Sequence, residues 1–306
     1  MRDFLKQAAC FLLVVTLSIG FAHFTEAKMP ELDVAYNALP FNLPSIVEKS
    51  QRFLAQEGYE VKYHSFGVGH AMTEAMASGS LDIAPVMGAT STIISRAGGR
   101  DIKIIGCYSQ APSAFALAVR PGTISLADLR GKKIAAPIGT EAHVLLGKIL
   151  AEQGLTLRDV QLVNLLIPDG ITALQSGEVD ATMVVEPVMS RLAHSGAIEI
   201  LRDGEGLVSG LTLSVTTTSL AESAQVEAFK RAHAQSLEYV QQNYNHVLKL
   251  AASELNLPFG IVETVAQKYT FSAELTEKQL AELEETIEFL YSEGLIRELI
   301  SVQDLL

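Results

Sequence analysis

Residues 75–88 read "AMASGSLDIAPVMG", and residues 173–186 read "ALQSGEVDATMVVE". The two stretches align at a constant offset of 98 residues, with Ser-Gly and a following Asp in the same places. In each stretch a helical pattern ends at a glycine, Gly79 or Gly177, and a buried strand follows. A glycine at that point is typical of the left-handed residue that ends a helix. We therefore interpret the two stretches as one helix–turn–strand unit that occurs twice.

The strand upstream of each unit recurs as well, as "EVKYHSF" from Glu60 and "DVQLVNL" from Asp159. The aspartates near the start of the downstream strands, Asp82 and Asp180, are expected to bond nearby backbone or the neighbouring strand. Repeated strand–helix–strand units predict an α/β fold with two lobes of like architecture and a mostly parallel sheet. Two such lobes imply a cleft between them, and ligands of such sheets bind beyond the carboxyl ends of the strands.

Small residues dominate the turns at several of these strand ends. Three turns enter helices directly, at residues 67–70, 88–91 and 139–141, the last within "KKIAAPIGTEAHVLLGKILAEQGL" (132–155). A helix start presents unpaired N–H groups and the positive end of the helix dipole. A single glycine turn can serve tight packing alone, but three turns aimed at one cleft favour an anion site without arginine. Gly139 and Thr140 are predicted to offer amides and a hydroxyl to an oxyanion.

The first 27 residues have the pattern of a secretory signal peptide. Arg2 and Lys6 come early, residues 8–21 form an apolar stretch, and small or polar residues follow up to Ala27. An uncleaved membrane anchor is the alternative, but the stretch is shorter than the roughly 20 residues that a spanning helix needs. Cleavage of residues 1–27 would leave Cys107 as a lone thiol, interpreted as a small buried hydrophobe, in an exported, periplasmic protein.

The net charge of −12 argues against a nucleic-acid partner and against an anionic membrane surface. A small anionic ligand stays compatible with it, because local dipoles override the global field. The sequence has no P-loop, HExxH, CxxC, GxSxG or GxGxxG motif. His64, His70 and His143 invite a metal interpretation, but no carboxylate repeats at ligand spacing, so cleft-edge or solvated histidines are favoured and no metal or cofactor is expected.

Three stretches carry a resemblance to a known family: "AMASGSLDIAPVMGATSTIISRAGGRDIKIIG", "LADLRGKKIAAPIGTEAHVLLGKILAEQGL" and "ALQSGEVDATMVVEPV". The chain resembles the solute-binding proteins of ABC importers for nitrate, sulfonate, taurine and thiamine precursors, from about Leu32 to Thr216. The resemblance implies the type II periplasmic binding protein fold, with two α/β lobes joined by a hinge. It places chain crossings near 114–119 and 211–217, the first lobe at 31–115 plus 216–306, and the second lobe at 116–215.

The resemblance also implies where a ligand is held. The family's ligand-contacting loops fall on Asn37, Gly67, Val68, Gly69, Gly88, Ala89, Thr90, Gly139, Thr140, Glu141 and Asp169. By the 98-residue offset, Glu186 takes the place of Gly88 and should face the cleft from the other lobe. Glu186 and Asp169 would repel a bare anion, which favours an amine- or heterocycle-bearing ligand with an acidic group at the Gly139 turn. The alternative for Glu186 is a carboxylate that favours a helix dipole.

These observations predict an extracytoplasmic solute-binding protein rather than an enzyme. Its ligand would be a small nitrogen- or sulfur-containing organic molecule, anionic or zwitterionic, and its partners an ABC permease with its ATPase. A monomer is expected. Two alternatives stay open: a biosynthetic enzyme of the same fold, of the thiamine or menaquinone pathway type, and a ligand-sensing subunit of a signalling system.

Overall fold

The computed structural model describes residues 29–36, 41–67 and 69–306. The predicted signal peptide, residues 1–27, lies outside the described residues, as do the predicted site residues Asn37 and Val68. Within the described ranges, no helix combines the length and the apolar character needed to cross a membrane.

Strands and helices alternate along most of the chain, as predicted. The strands are β1 Glu31–Ala35, β2 Glu60–His64, β3 Ala84–Gly88, β4 Lys103–Gln110, β5 Phe115–Val119, β6 Lys133–Ala135, β7 Gln161–Val163, β8 Ala181–Val185, β9 Glu199–Asp203, β10 Leu211–Thr216 and β11 Thr270–Phe271. The helices are α1 Leu43–Gln51, α2 Phe53–Gln56, α3 Gly69–Ala77, α4 Ala89–Ala97, α5 Glu141–Glu152, α6 Ile167–Ser176, α7 Val188–His194, α8 Ala224–Gln242, α9 Tyr244–Leu255, α10 Phe259–Ala266 and α11 Glu277–Ser292.

Three sheets in the described part of the chain, two in the first lobe and one in the second, divide these elements into two lobes. The first lobe contains the sheet β11-β4-β10-β3, the parallel pair β1-β2, helices α1–α4 and helices α8–α11. The second lobe contains the sheet β7-β6-β8-β5-β9 and helices α5–α7. Each lobe has its own apolar core, such as the cluster around Met87 and Leu213 in the first and around Leu117 and Leu146 in the second. Two separate cores let the lobes pack as two units with a cleft between them.

The expectation of a mostly parallel sheet is wrong for the strands that connect the lobes. β5 pairs antiparallel with β8 and β9, and β10 pairs antiparallel with β3 and β4. These two strands receive the chain directly from the other lobe, without the crossover helix that a parallel connection requires. Because β10 lies in the first-lobe sheet, we propose that the second crossing lies between Asp203 and Leu211; the boundary at 215/216 stays a prediction.

The repeated helix–turn–strand unit has the same structure in both lobes. Gly79 and Gly177 both take left-handed backbone conformations, with φ of +71° and +82°. The Asp33 N–H donates to Asp82 Oδ2 over 2.9 Å, and the Lys133 N–H donates to Asp180 Oδ2 over 2.9 Å. The predicted role of both aspartates, a bond to the neighbouring strand, is therefore confirmed.

The apolar spacing in residues 44–58, "PSIVEKSQRFLAQEG", predicts one amphipathic helix, but the structure breaks it into α1 and α2. Arg52 adopts a left-handed conformation, with φ of +59°. The Glu48 carboxylate accepts from the Leu54 N–H over 3.0 Å and also from the Tyr63 hydroxyl. Because the Glu48 side chain accepts from an N–H group in the first turn of α2, the backbone can turn at Arg52 and a new helix can begin there.

Replacing Asp82 by alanine is expected to lower the free energy of unfolding by about 1.5–3 kcal/mol, because a charged acceptor of a partly buried N–H is lost. Asp180→Ala should lower it less, by about 0.5–1.5 kcal/mol, since the equivalent bond is exposed to water. Urea unfolding measures both. Glu178→Ala, at an exposed neighbouring position, is the control and should change little. Equal losses in all three variants would contradict the role assigned to the aspartates.

Candidate ligand-binding site

A cavity of about 370 Å³ lies between the two lobes. The first lobe contributes residues of β3 and the starts of α3 and α4, and the second contributes β5, the end of β8 and the starts of α5 and α6. Leu211 and Thr212 of β10 line it as well. The cavity therefore has the position predicted for the ligand, at the carboxyl ends of strands from both lobes.

Most of the cavity wall is apolar. The larger apolar side chains are Phe66, Met72, Met87, Phe115, Leu166 and Leu211. The polar side chains in the lining are Ser65, Ser91, Thr140, Glu141 and Thr212. Among the described residues, no lysine, arginine or histidine lines the cavity. A ligand there would gain from burying carbon atoms, and a charged group on it would depend on dipoles and hydrogen bonds.

Four helices begin at the cavity. Its lining includes Gly69, the first residue of α3, and the residues just before α4, α5 and α6, which are Gly88, Thr140 and Leu166. None of these three residues caps its own helix through a side-chain hydrogen bond. Helix starts left uncapped by side chains carry positive partial charge toward the cavity. The prediction that three small-residue turns enter helices at one cleft is confirmed, with α6 as a fourth start.

The Gly139 turn differs in detail from its prediction. Gly139 has φ of +78°, a conformation that favours glycine. Its N–H donates to His143 Nδ1 over 3.3 Å, and the Thr140 hydroxyl donates to the Pro137 carbonyl over 2.7 Å. The Gly139 N–H therefore already has an acceptor within the protein. The Thr140 hydroxyl donates its hydrogen bond to the Pro137 carbonyl, and its oxygen can still accept a hydrogen bond from a ligand. Gly88, by contrast, has φ of −60° and open space where a Cβ would lie.

Hydrogen bonds across the cleft hold the lobes together in this conformation. The Ser91 hydroxyl of α4 donates to the Gly139 carbonyl over 3.1 Å. The Thr90 hydroxyl, also in α4, donates to Glu141 Oε2 over 2.5 Å. Since α4 belongs to the first lobe and α5 to the second, these bonds form only when the lobes approach. The described structure is a closed form.

Two titratable side chains near the start of α5 are buried. Burial raises the pKa of Glu141 above its usual value, while its bonds to Thr90 and Gly210 oppose the shift. Burial lowers the pKa of His143, so this imidazole is neutral and does not oppose the helix dipole. Its Nε2 has no hydrogen-bond partner within the described part of the chain. In residues 29–36, 41–67 and 69–306, no group of three or more His, Cys, Asp or Glu is placed to hold a metal ion.

The predicted site residues fall into three groups in the structure. Those that line the cavity are Gly67, Gly69, Gly88, Thr140 and Glu141. Those that adjoin the lining are Ala89, Thr90 and Gly139, with Thr90 and Gly139 in the bonds across the cleft. The third group, Asp169 and Glu186, does not line the cavity. Asp169 is exposed in the first turn of α6, where a carboxylate stabilises the helix dipole.

The expectation that Glu186 faces the cleft is wrong. Its neighbour Val185 lines the cavity, while Glu186 is fully buried beside it. Its Oε1 pairs with Lys268 Nζ over 2.5 Å, and its oxygens accept from the Ser190 N–H and hydroxyl over 3.0 and 2.6 Å. A carboxylate paired in this way neither repels a bound anion nor offers a free acceptor to an amine, so the argument for an amine-bearing ligand loses its basis.

Sequence reasoning missed the apolar side chains of the cavity lining and two serines, Ser65 and Ser91. Phe66, Phe115 and Leu166 have no motif that separates them from ordinary core residues. Ser91 was within the recognised turn at 88–91, and its hydroxyl next to a helix start was a usable signal.

Two α/β lobes linked by two chain crossings, with a cavity lined by helix starts, form the type II periplasmic binding protein fold. A family model described as NMT1/THI5 like matches residues 41–245. The chain belongs to this NMT1/THI5-like family.

Known proteins with similar sequences and structures agree with this assignment. The chain is 26% identical over 268 residues to an Escherichia coli K12 protein named for binding aliphatic sulfonates, covering 86% of this chain and 82% of that protein. It is 26% identical to the taurine-binding periplasmic protein of the same strain, covering 88% of each chain. The alkanesulfonate-binding protein SsuA of Xanthomonas axonopodis pv. citri, solved with bound MOPS, superposes with a TM-score of 0.80 at 25% identity, covering 90% of this chain and 98% of that chain.

Proposed function

We propose that this protein is the solute-binding component of an ABC importer and that its ligand is an organic sulfonate. The observation that carries the proposal is the interlobe cavity, whose lining combines four helix starts with mostly apolar side chains. A sulfonate has a permanently charged head for the helix starts and a carbon chain for the wall. The names of the relatives, which bind aliphatic sulfonates, taurine and alkanesulfonates, support this ligand class.

The predominance of apolar side chains in the cavity lining favours a sulfonate with an alkyl chain over taurine. An ammonium group at the far end of the ligand would need a carboxylate or several carbonyls, whereas most of the cavity lining is apolar, including Phe66, Met72 and Leu211. Glu141 is the acidic side chain in the lining, and each of its oxygens already accepts one hydrogen bond from the protein, which leaves it fewer acceptor sites for an ammonium group. An alkyl chain requires no such partner.

Binding would be followed by delivery to a membrane partner. The hydrogen bonds between α4 and α5 form in the closed conformation, so a ligand that contacts both lobes shifts the population toward closure. We propose that the closed monomer acts in the periplasm and docks on a permease with its ATPase; one relative is itself named periplasmic.

Titration calorimetry with a series of linear alkanesulfonates tests the ligand class. Affinity is expected to rise by about fourfold for each added methylene that the wall buries, because each buried CH₂ contributes about 0.8 kcal/mol. Hexanesulfonate at a hundred times its Kd should stabilise the protein by about 2.7 kcal/mol and raise its Tm by several degrees. Taurine, sulfate and hexylamine are the controls. A larger Tm shift with sulfate, taurine or hexylamine would contradict the proposal.

The same samples separate a binding protein from an enzyme of this fold. A binding protein returns the sulfonate unchanged after prolonged incubation, and mass spectrometry of the released ligand measures this. Conversion of the ligand to a desulfonated or otherwise altered product would show that the cavity is an active site.

A further inference from the structure

Glu141 has an unusual place in the cavity. It is the first residue of α5, it is only 7% exposed, and it is the ionisable side chain that lines the cavity within the described ranges. Its Oε2 accepts from the Thr90 hydroxyl over 2.5 Å, and its Oε1 accepts from the Gly210 N–H over 3.3 Å. A bound sulfonate would lie at the same helix start, so two anionic groups would share one region of low dielectric.

No ion pair neutralises Glu141 in the described structure. Behind it lies a second cleft of about 270 Å³ that Glu141 also lines. The other charged side chains around that cleft are Lys148, Lys278, Glu205, Glu282 and Glu285. Lys148 donates to the Leu207 carbonyl over 2.8 Å, and Lys278 pairs with Glu282 over 3.7 Å. On α5 itself His143 is neutral. The two lysines therefore make their hydrogen bonds elsewhere, although the charge of Lys148 acts on Glu141 and lowers the pKa of that carboxyl, and the remaining neighbours are acidic.

We propose that Glu141 is a specificity residue that sets the charge of the ligand's head group, because anion binding is coupled to the uptake of a proton by its carboxylate. This inference rests on the proposed function. A sulfonate carries one negative charge at every pH of interest, so the site accepts it by protonating Glu141. A phosphonate of the same chain length carries a second charge near neutral pH, and one proton on Glu141 does not offset it.

The direction of the pH dependence follows from linkage. Burial already raises the pKa of Glu141 in the empty protein, and a bound anion at the start of α5 raises this pKa further. At any pH between the pKa of Glu141 in the free protein and its pKa in the complex, the complex then holds more protons than the free protein. Sulfonate affinity therefore rises as pH falls through that interval, by up to tenfold per pH unit, and levels off below the pKa of the free protein.

Calorimetry of hexanesulfonate binding between pH 5 and 8, in pairs of buffers with different ionisation enthalpies, tests the inference on the wild type. Uptake of up to one proton per ligand is expected, along with weaker binding at higher pH. In Glu141→Gln both the proton uptake and the pH dependence should disappear, and the preference for hexanesulfonate over hexylphosphonate at pH 8 should shrink. Glu285→Gln, an exposed carboxylate on the second cleft, is the matched control and should behave as wild type.

Thr90→Val provides a second route if Glu141→Gln does not fold. The Thr90 hydroxyl lowers the pKa of Glu141, so its removal should move the pH dependence of binding to higher pH. Any of three results would overturn the inference and leave the proposed function intact. They are binding without proton uptake in the wild type, proton uptake that persists in Glu141→Gln, and a pH dependence of binding that does not move in Thr90→Val. Failure of every sulfonate to bind at any pH would overturn both.

Discussion

Gly210→Ala is expected to lower the free energy of unfolding by roughly 3–5 kcal/mol, whereas Gly206→Ala lowers it by about 1–2 kcal/mol. Both glycines have positive φ, +61° and +74°, so both substitutions place an L-residue in the left-handed region. They differ in the space around the new Cβ. At Gly210 it would lie 2.3 Å from the Ala111 carbonyl oxygen, and at Gly206 it would meet nothing within 4 Å. Backbone atoms cannot rotate away, so the crossing segments would have to separate.

The difference in stability between the two variants measures the effect of close packing at the point where the chain crosses between the lobes. Gly204 shows the same feature, since a Cβ there would lie 2.4 Å from the Pro112 carbonyl oxygen. The Gly210 N–H also donates to Glu141 and lowers the pKa of that carboxyl, so displacing residue 210 should move the pH dependence of ligand binding to higher pH. Urea unfolding gives the stability difference, and calorimetry with hexanesulfonate at several pH values gives the change in binding. Similar stabilities for Gly210→Ala and Gly206→Ala would contradict this prediction. They would show that the two chain segments at the crossing can move apart with little loss of stability.

Features governed by local chemistry were predictable from the sequence. Gly79 and Gly177 end helices because a left-handed residue is needed there, and a glycine in that pattern indicates it directly. Asp82 and Asp180 bond a neighbouring strand through a short side chain next to the turn. The apolar spacing within residues 274–294 predicts an amphipathic helix, and this helix is α11, with Leu283 facing the core. In each case a few consecutive residues determine the structure.

Features that depend on distant parts of the chain were not predictable. The direction of β10 depends on its pairing with β3 and β4, which lie about a hundred residues earlier in the chain. The position of Glu186 shows the same limit within the site. The 98-residue offset correctly placed Glu186 near the end of a strand, as Gly88 is, but its carboxylate pairs with Lys268, 82 residues further along the chain. Leu166 lines a cavity rather than a core only because the two lobes leave a space between them.

Lys268→Met is expected to destabilise the protein by about 3–5 kcal/mol, because it leaves a buried carboxylate without its cation. Glu186 is fully buried at the end of β8 in the second lobe, and Lys268 follows α10 in the first, so their ion pair joins the lobes. Ser190 keeps donating to Glu186 in the variant, but a neutral donor does not replace a positive charge. Lys230→Met, which breaks an exposed pair with Glu227, is the control and should cost about 0–1 kcal/mol.

A double-mutant cycle distinguishes a buried charge from lost packing of the lysine chain. If the unpaired carboxylate is the cause, Glu186→Met combined with Lys268→Met should recover much of the stability lost in Lys268→Met alone, because no charge is left buried. The Ser190 N–H and hydroxyl lose their acceptor in that double variant, so recovery should be incomplete by about 1–2 kcal/mol. Unfolding in urea at constant pH measures all four corners of the cycle. Additive losses would mean that the Lys268 chain, rather than its charge, holds the two lobes together at this contact.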